Sequence, residues 1–491
     1  MNLWGSGCVD RYRLNGCRSS NISSSNNSTT EVPMKFSRQQ VQNKPHVLPR
    51  LRFESQKLTS FAGLVILQKF FAQIKIKERL RPCFRQIGKA SVYRRHTIFL
   101  QLIVHLLLGF RELQHARFYE EDPMVKRILG LTRLPNVSTI SRMLRKATHA
   151  CVDHVRALLR EMVLERLVKM QLARITLDFD GSVQSTSRHA EGTAVGFNKQ
   201  KKGARSYYPL FCTISQLNQV FDVLFRPGNV HDSKGALEFI LHCVDAVRAK
   251  LPQVQIELRM DSAFFSDEIV TALSERDIEF TISVPFERFT ELKTLIENRQ
   301  KWPALREETS YFEPSWKPQK WSKAFRFLCI RTKTQKQRKG PLQLDLFEPR
   351  DYGYEFKVIV TNKTLQAQNV VTYHEGRGSQ EGIIADLKTD CHLDYIPVRT
   401  LCGNQLYHLA GMMAHNLARE LQMSTKSPLR GTTTRRAALW IFEKLSTLRN
   451  TMLHRAGRLT SPSGALTLTI SATKLVKEYL LGTLKAIDTP Q

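Results

Sequence analysis

The sequence has no long apolar run, no Cys-x-x-Cys pair and comparatively few acidic residues. Its longest strongly apolar stretch, IFLQLIVHLLLGF at 98–110, has 13 residues and includes Gln and His, which is too short to cross a bilayer. The first residues also lack the apolar region of a secretion signal. Nine scattered cysteines favour reduced thiols. We therefore expect a cytoplasmic protein without a membrane partner.

Basic residues are abundant: 74 Lys and Arg face 44 Asp and Glu, which gives a net charge of +30. The cations are distributed through patterned segments and do not form one basic tail, which favours a binding surface. Nucleic acid is the usual partner of such a surface, because each neutralised phosphate releases counterions. A membrane surface is the alternative.

Changes in residue pattern predict six segments and an α/β protein. Apolar residues at three- and four-residue spacing indicate helices, and short β-prone runs between turns indicate strands. The order hairpin, helix, strand, helix, strand predicts a ribonuclease-H-like mixed sheet with a β-rich insertion, preceded by an α-helical DNA-binding domain. The predicted N-terminal segments are 1–56, disordered or extended with its true start at Met34, and 57–170, a helical DNA-binding domain. The ribonuclease-H-like catalytic core is predicted in two parts, 171–285 and 353–425, and the second part contains a helix with Glu381. A β-rich basic insertion, 286–352, separates these parts, and a C-terminal region, 426–491, follows them.

One helix of segment 57–170 has a basic side. In LTRLPNVSTISRMLRKA at 131–147, a Pro-Asn turn precedes a helix for which Ser138 is the expected N-cap. Arg142 and Arg145 lie away from its apolar face. A turn followed by a basic helix is typical of a helix-turn-helix that reads a major groove, and an ordinary helical hairpin is the alternative.

Carboxylates follow or end predicted strands at two places in the core. Asp178 and Asp180 share one face of the strand RITLDFD, and Asp261 ends the strand IELRMD, where open α/β sheets bind ligands. Glu381 lies on a predicted helix with Arg377 four residues before it. Such carboxylates suit two Mg²⁺ ions that activate a nucleophile at a phosphodiester. In a haloacid-dehalogenase-like phosphatase, Asp178 would instead be the nucleophile, but the sequence has no Gly-Asp or Asp-Asp dipeptide to complete that site.

The chain resembles DDE insertion-sequence transposases of the IS-four superfamily, most closely insertion-sequence family thirteen-eighty. The resemblance covers about 34–470 and depends on LDFDGS, GARSYYPLF, ELRMDSAFF and a helix with the pattern R-x3-E-x6-K. It implies that Asp180, Asp261 and Glu381 are catalytic metal ligands, for Mg²⁺ or for Mn²⁺ in its place, and that Arg377 and Lys388 bind phosphate. The Tyr that family members carry before this Arg is displaced here by one residue, at Tyr373. Asp180 is preferred to Asp178 because Gly-Ser follows it.

The resemblance also implies a bacterial, nucleoid-associated enzyme that acts as a homodimer on element ends and target DNA. A catalytically silent DNA-binding descendant is the alternative. Further contacts with DNA are expected from the basic loop NKQKKGARSYY and from the stretch 314–340, which has nine Lys and Arg and no acid. Cations suit phosphates and Trp rings suit unstacked bases. The predicted contacts are Lys201, Lys202, Arg205, Trp316 and Trp321, with packing of the two Trp in a small core as the alternative.

Overall fold

The computed structural model describes residues 48–54, 56–85, 92–187, 189–196, 198, 201–230, 234–334, 353–431, 433–471 and 473–489. The predictions for 1–47, including a start at Met34, and for 335–352 lie outside these residues. The chain divides into two compact units, Met1–Glu54 and Ser55–Gln491. The described residues 48–54 of the first unit contain no helix or strand.

All described helices and strands lie in the second unit. The α-helices are α1 Leu64–Gln73, α2 Ile76–Leu80, α3 Arg95–Leu107, α4 Pro123–Leu129, α5 Val137–Arg145, α6 His149–Met170, α7 Ala236–Lys250, α8 Asp267–Glu275, α9 Thr290–Glu297, α10 Ala367–Glu375, α11 Gly378–Thr389, α12 Leu401–Thr425, α13 Leu445–Leu448 and α14 Lys474–Asp488. The strands are β1 Leu58–Thr59, β2 Arg174–Gly181, β3 Gln184–Thr186, β4 Ala194–Val195, β5 Arg205–Tyr207, β6 Leu210–Ile214, β7 Gln219–Leu224, β8 Gln255–Met260, β9 Glu279–Val284, β10 Ala304–Arg306, β11 Thr309–Phe312, β12 Arg326–Lys333, β13 Tyr354–Thr361, β14 Gly457–Thr460 and β15 Thr467–Ile470.

A nine-stranded mixed sheet has the order β10-β11-β12-β13-β9-β8-β2-β6-β7. Strand β2 is parallel to β8, β8 is parallel to β9, and the hairpin β6–β7 is antiparallel to β2. Buried on both faces, β2 is apolar at Ile175, Leu177 and Phe179, as is usual for a strand inside a parallel sheet. The mixed α/β sheet is confirmed, and the order β7-β6-β2-β8-β9 agrees with the predicted ribonuclease-H-like core.

The predicted insertion is continuous with this sheet. Its strands β10, β11 and β12 pair antiparallel in succession, and β12 pairs with β13 from Arg326↔Thr361 to Lys333↔Tyr354. Strand β13 in turn pairs with β9. The described part of the insertion therefore widens the mixed sheet.

The N-terminal helices share a core with the helices that follow the sheet. One cluster of buried apolar side chains includes members of α1 to α6, of α11 and of α12. Nineteen of the 25 residues of α12 are buried, as expected for a helix surrounded by other elements. The helical segment 57–170 thus packs directly on the remainder of Ser55–Gln491, and its role as a DNA-binding domain stays a prediction.

Helix α5 begins at Val137, one residue before Ser138, the predicted N-cap. Its N-cap is Asn136, whose Oδ1 accepts a hydrogen bond from the Thr139 amide at 3.0 Å. Ser138 is inside the helix and donates its hydroxyl to the same oxygen at 2.8 Å. The prediction of Ser138 as the N-cap is wrong, because the amide oxygen of Asn136 already accepts from the first turn.

Two sequence expectations can be compared with the described residues directly. Their seven cysteines carry free thiols. Within the same residues, no helix is both long enough and apolar enough to span a bilayer.

Candidate active site

Asp180 and Asp261 lie side by side at the carboxyl ends of two parallel strands. The register of β2 and β8 pairs Asp178 with Arg259 and Phe179 with Met260, so the next step along both strands reaches Asp180 and Asp261. The Asp261 carboxylate also accepts a hydrogen bond from the Ala263 amide at 3.0 Å, which caps the following turn. The fold therefore brings two predicted residues together at the end of the sheet where ligands bind.

Asp178 is in the protein core. Its side chain is fully buried, and its two oxygens accept hydrogen bonds from Arg259 Nε at 2.6 Å and Nη2 at 2.7 Å. Burial raises the pKa of Asp178, and the Arg259 guanidinium opposes that shift. A nucleophile or a metal ligand needs an accessible oxygen, so this geometry argues against a phosphatase with Asp178 as nucleophile. It equally favours Asp180 as the first member of the triad.

Arg377 joins Glu381 to Asp180. Glu381 is in the first turn of α11, and Arg377 immediately precedes that helix. Arg377 Nη2 lies 3.1 Å from Glu381 Oε1, and its Nη1 lies 3.8 Å from Asp180 Oδ2. The Glu381 side chain is 63% exposed, against 18% for Asp180. Arg377, predicted to bind phosphate, thus bridges two of the three acids.

The ionisation of Asp180 reflects this crowding of acids. Burial, followed by the nearby Asp261 charge, raises the pKa of Asp180 to about 7. Glu381 contributes a smaller rise, and Arg377 opposes all three effects. The fold therefore holds a carboxyl at a strand end where its charged form is unfavourable without a further cation.

The three carboxylates are suitable ligands for a divalent metal, but their side chains are not arranged around a common metal position in this conformation. Mg²⁺ prefers carboxylate and water oxygens, and a bound cation would relieve the repulsion that raises the Asp180 pKa. In the described part of the chain, however, no group of three or more His, Cys, Asp or Glu side chains is arranged as a metal site. Arg377 contacts Asp180 and Glu381 in this conformation, so a metal shared by them requires this guanidinium to move.

Lys388 faces a cavity beside the acids. The cavity has a volume of about 500 Å³, and its lining includes Lys388, Lys201, Arg111, Asp394 and Tyr395. Burial lowers the pKa of Lys388, and Asp394 and Asp180 oppose that shift. Arg111 Nη2 is 2.7 Å from Asp394 Oδ2, and its guanidinium carbon is 5.7 Å from the Tyr395 ring centroid. The cavity therefore carries cations, hydroxyls and an aromatic ring, and Lys388 links it electrostatically to Asp180.

The basic loop that follows β2 divides into exposed and engaged cations. Lys201 and Lys202 are exposed. Arg205 is half-buried, and its Nε donates to Thr193 Oγ1 at 3.1 Å while Nη2 donates to the Thr193 carbonyl. The Arg205 guanidinium thus joins β5 to the residue that precedes β4, and its contact with DNA stays a prediction.

The two predicted base-stacking Trp residues pack into the core of the sheet. Trp321 is 7% exposed, and its ring centroid lies 4.7 Å from that of Phe265. Trp316 packs at 5.0 Å from Phe327 and donates its indole N–H to Glu291 at 3.2 Å. Packing in a core, the alternative to base stacking, therefore describes the buried Trp321. Trp316 is half-buried, and base stacking by its ring stays a prediction.

Helix α5 presents its cations outward. Ile140, Met143 and Leu144 are buried, whereas Arg142 and Arg145 are exposed. The start of α12 packs closely against the end of this helix, because a Cβ on Gly403 would lie 2.6 Å from the Leu144 carbonyl oxygen. The apolar face of α5 is thus held by the core, and DNA binding by its basic face stays a prediction.

Several residues of the site were not predicted from the sequence. Arg111 is far along the chain from the neighbouring residues Asp394 and Tyr395, and no local sequence pattern indicates that they lie together. Arg259 does have a local signal, since it is a cation within the strand IELRM two residues before Asp261, and it is buried there. Tyr373, the tyrosine displaced by one residue from the family pattern, is 2% exposed, and its ring centroid lies 5.2 Å from the Arg259 guanidinium carbon.

A family model matches most of the chain. A family model described as transposase DDE domain group 1 matches residues 40–490. A search of curated proteins found no match.

Two solved structures show weak similarity. A piggyBac transposase synaptic complex with hairpin DNA is 10% identical, covers 79% of this chain and 78% of that chain, and has a TM-score of 0.42. A Mos1 transposase paired-end complex with left transposon end is 12% identical over 39% of this chain and 60% of that chain, with a TM-score of 0.17. At these scores neither similarity carries an argument, and the fold assignment depends on the strand order alone.

Proposed function

The chain belongs to the transposase DDE domain group 1 family, and we propose that it cuts DNA at the ends of a mobile element and joins the ends to target DNA. The observation that carries this proposal is the meeting of acids from three elements. Asp180 of β2 and Asp261 at the end of β8 follow neighbouring parallel strands, and Arg377 joins Asp180 to Glu381 of α11. Three acids from separate elements are what phosphodiester chemistry requires when no side chain acts as nucleophile.

Asp180, Asp261 and Glu381 would hold divalent metal, two Mg²⁺ ions or Mn²⁺ in their place. The metal would supply activation of the attacking oxygen and stabilisation of the leaving oxygen. Arg377, which contacts Asp180 and Glu381, would bind a DNA phosphate when cations occupy the carboxylates. Lys388 would bind a phosphate from the cavity side, because its half-buried ammonium lines the cavity and interacts with Asp180.

Exposed cations around this site would hold the remainder of the DNA. Lys201 and Lys202 lie on the loop beside the cavity, and Arg142 and Arg145 form the basic face of α5. Two element ends must be processed together, so we propose a homodimer in the active complex, acting on the bacterial nucleoid. Within the family, the motifs LDFDGS and ELRMDSAFF support a place near insertion-sequence family thirteen-eighty.

A plasmid assay tests the proposal. The substrate carries the gene's own genomic flanks, in which we expect short inverted repeats, and the products are mapped by primer extension with Mg²⁺ present. Wild-type protein should cut at the repeat ends and join them to a second plasmid. Asp180→Asn, Asp261→Asn and Glu381→Gln should each lower both steps by at least about a thousandfold, since each removes a carboxylate that acts on the transition state.

Glu268→Gln is the matched control, because it makes the same chemical change at an exposed acid on α8 and should keep wild-type activity. Equal activity in wild type and the triad variants would exclude these acids as the catalytic centre. DNA binding without cleavage by any form would instead identify a catalytically silent descendant.

A further inference from the structure

Asp178 connects the three elements that carry the acids. Its carboxylate on β2 is held by Arg259 of β8. Its backbone carbonyl accepts a hydrogen bond from Gln380 Nε2 at 2.8 Å, and Gln380 immediately precedes Glu381 on α11. Asp178, Arg259 and Gln380 are all fully buried. Each bond therefore lies two residues or fewer from a member of the triad.

Arg259 extends this connection to the segment that leads into α11. Its Nη1 donates to the Tyr373 carbonyl at 3.1 Å and to the Arg435 carbonyl at 2.7 Å. Its Nη2 also donates to Ser215 Oγ at 2.7 Å. The guanidinium thus makes hydrogen bonds on all three nitrogens, and a Lys could not reproduce this planar set.

Gly376 leaves the space that this guanidinium occupies. A Cβ at position 376 would lie 2.1 Å from Arg259 Nη1 and 2.1 Å from the Arg435 carbonyl oxygen. The backbone of Gly376 is ordinary right-handed helix, with φ −60°, so close approach is the reason for glycine here. The turn between α10 and α11, which precedes Glu381, is consequently packed directly on Arg259.

We propose that Asp178, Arg259 and Gln380 form a positioning unit that sets the spacing of Asp180, Asp261 and Glu381 for metal binding. This inference rests on the proposed function of the triad. The unit touches no substrate; it acts by joining β2, β8 and α11 at points adjacent to the three acids. Buried groups that orient metal ligands commonly change metal affinity or activity by about 10- to 100-fold when they are removed.

Gln380→Met tests the unit with little risk to folding. It removes the donor to Asp178 at similar side-chain volume, and it also removes Gln380 Oε1, a buried oxygen without a partner among the described atoms. If Gln380 does not position the acids, Gln380→Met should keep nearly wild-type stability and metal binding. The lost hydrogen bond to the Asp178 carbonyl is then offset by removal of the unpaired Gln380 Oε1. The positioning role predicts at least about tenfold weaker Mn²⁺ binding.

Mn²⁺ binding is measured by electron paramagnetic resonance on the full chain without DNA, with an Asp180→Asn, Asp261→Asn double variant defining the background. The Mg²⁺ concentration for half-maximal cleavage is measured in parallel and should rise similarly. Gln422→Met is the matched control. Gln422 is equally buried on α12 and exchanges hydrogen bonds with Glu443, so this variant should lose stability and keep its Mn²⁺ affinity.

Arg259→Lys and Gly376→Ala should act in the same direction as Gln380→Met wherever they fold. Wild-type Mn²⁺ affinity in Gln380→Met, or an equal loss in Gln422→Met, overturns the positioning unit. If wild-type protein binds Mn²⁺ at the triad but cuts no DNA, the proposed function fails while the Mn²⁺ comparison still decides the positioning unit. If wild-type protein binds no Mn²⁺ above background, the positioning unit is overturned as well.

Discussion

At the scale of single residues, the folded protein keeps a proton on Asp180 at pH values between about 4 and 7, where the unfolded chain releases it. Its pKa of about 7 in the folded protein lies above the ordinary value of 3.8. Between these values the folded state binds more protons than the unfolded state, so the free energy of unfolding falls as pH rises from about 4 to 7. Above pH 7 the full cost of a charged, metal-free Asp180 is present.

Asp180→Asn removes this cost, and we expect the variant to be more stable than wild type in EDTA at pH 8 by about 2 to 4 kcal/mol. The difference should shrink towards pH 5, where wild-type Asp180 is neutral. Urea unfolding at several pH values measures it. Asp245→Asn makes the same chemical change at an exposed acid paired with Arg276, away from the site, and should not stabilise the protein at pH 8. A gain in stability for Asp180→Asn that is the same at every pH would contradict the raised pKa of Asp180.

The residue scale also shows where sequence patterns are sufficient. The pattern RITLDFD predicted a strand with two acids on one face, and both are on β2. It could not show that Asp178 is buried, because alternation assigns Asp178 and Asp180 to the same face. Only the pairing of β2 with β8, which sets Arg259 opposite Asp178, separates a buried ion pair from a catalytic acid.

At the scale of elements, α5 has a buried apolar face that packs in the core and an exposed basic face that we propose binds DNA. The double variant Arg142→Ala, Arg145→Ala should weaken binding of the element ends and lower the slope of log affinity against log salt by about 1.8, if each Arg neutralises one phosphate. Thermal stability should change little, because both side chains are exposed. Fluorescence anisotropy at several salt concentrations measures the slope.

Lys474→Ala, Lys477→Ala is the matched control for α5, since it removes the same charge from exposed positions of α14. Its salt slope should equal that of wild type. A slope unchanged in the α5 variant would indicate that α5 is part of an ordinary helical hairpin, the alternative that the sequence left open.

The strands of the insertion make a second prediction at this scale. Trp321→Ala should lower the free energy of unfolding by about 3 to 5 kcal/mol, as for other large side chains removed from a core, because Trp321 packs on Phe265 and Phe327. Trp321→Phe should cost less. DNA affinity of the folded protein should be nearly unchanged in Trp321→Phe, and weaker DNA binding at wild-type stability would restore the base-stacking role.

The insertion shows why composition alone misled at this scale. Nine cations around two Trp residues resemble a surface for single-stranded DNA. However, the same rings fill the side of the sheet that β12 and β13 extend, together with Phe289, Phe325 and Phe327. Whether an aromatic ring faces solvent or a neighbouring strand depends on long-range pairing, which is absent from a local window of sequence.

At the scale of the whole molecule, the Glu helix and the N-terminal helices depend on one core. Ile383, Ile384 and Leu387 of α11 belong to the same buried cluster as Phe99 of α3 and ten residues of α12. The position of Glu381 is therefore coupled to helices that we propose bind DNA. A separate DNA-binding domain joined by a linker would lack this coupling.

Phe99→Ala tests that coupling by hydrogen exchange. Phe99 is fully buried, and its truncation should cost about 3 to 5 kcal/mol, which corresponds to at least about a hundredfold faster exchange of amides that open with the core. We expect faster exchange in α11 and α12 as well as in α3. Phe118→Ala makes the same substitution at a side chain that is 73% exposed and should leave exchange nearly unchanged. If Phe99→Ala accelerates exchange in α3 alone, the helices unfold independently, and Glu381 is held by the sheet and its buried contacts without them.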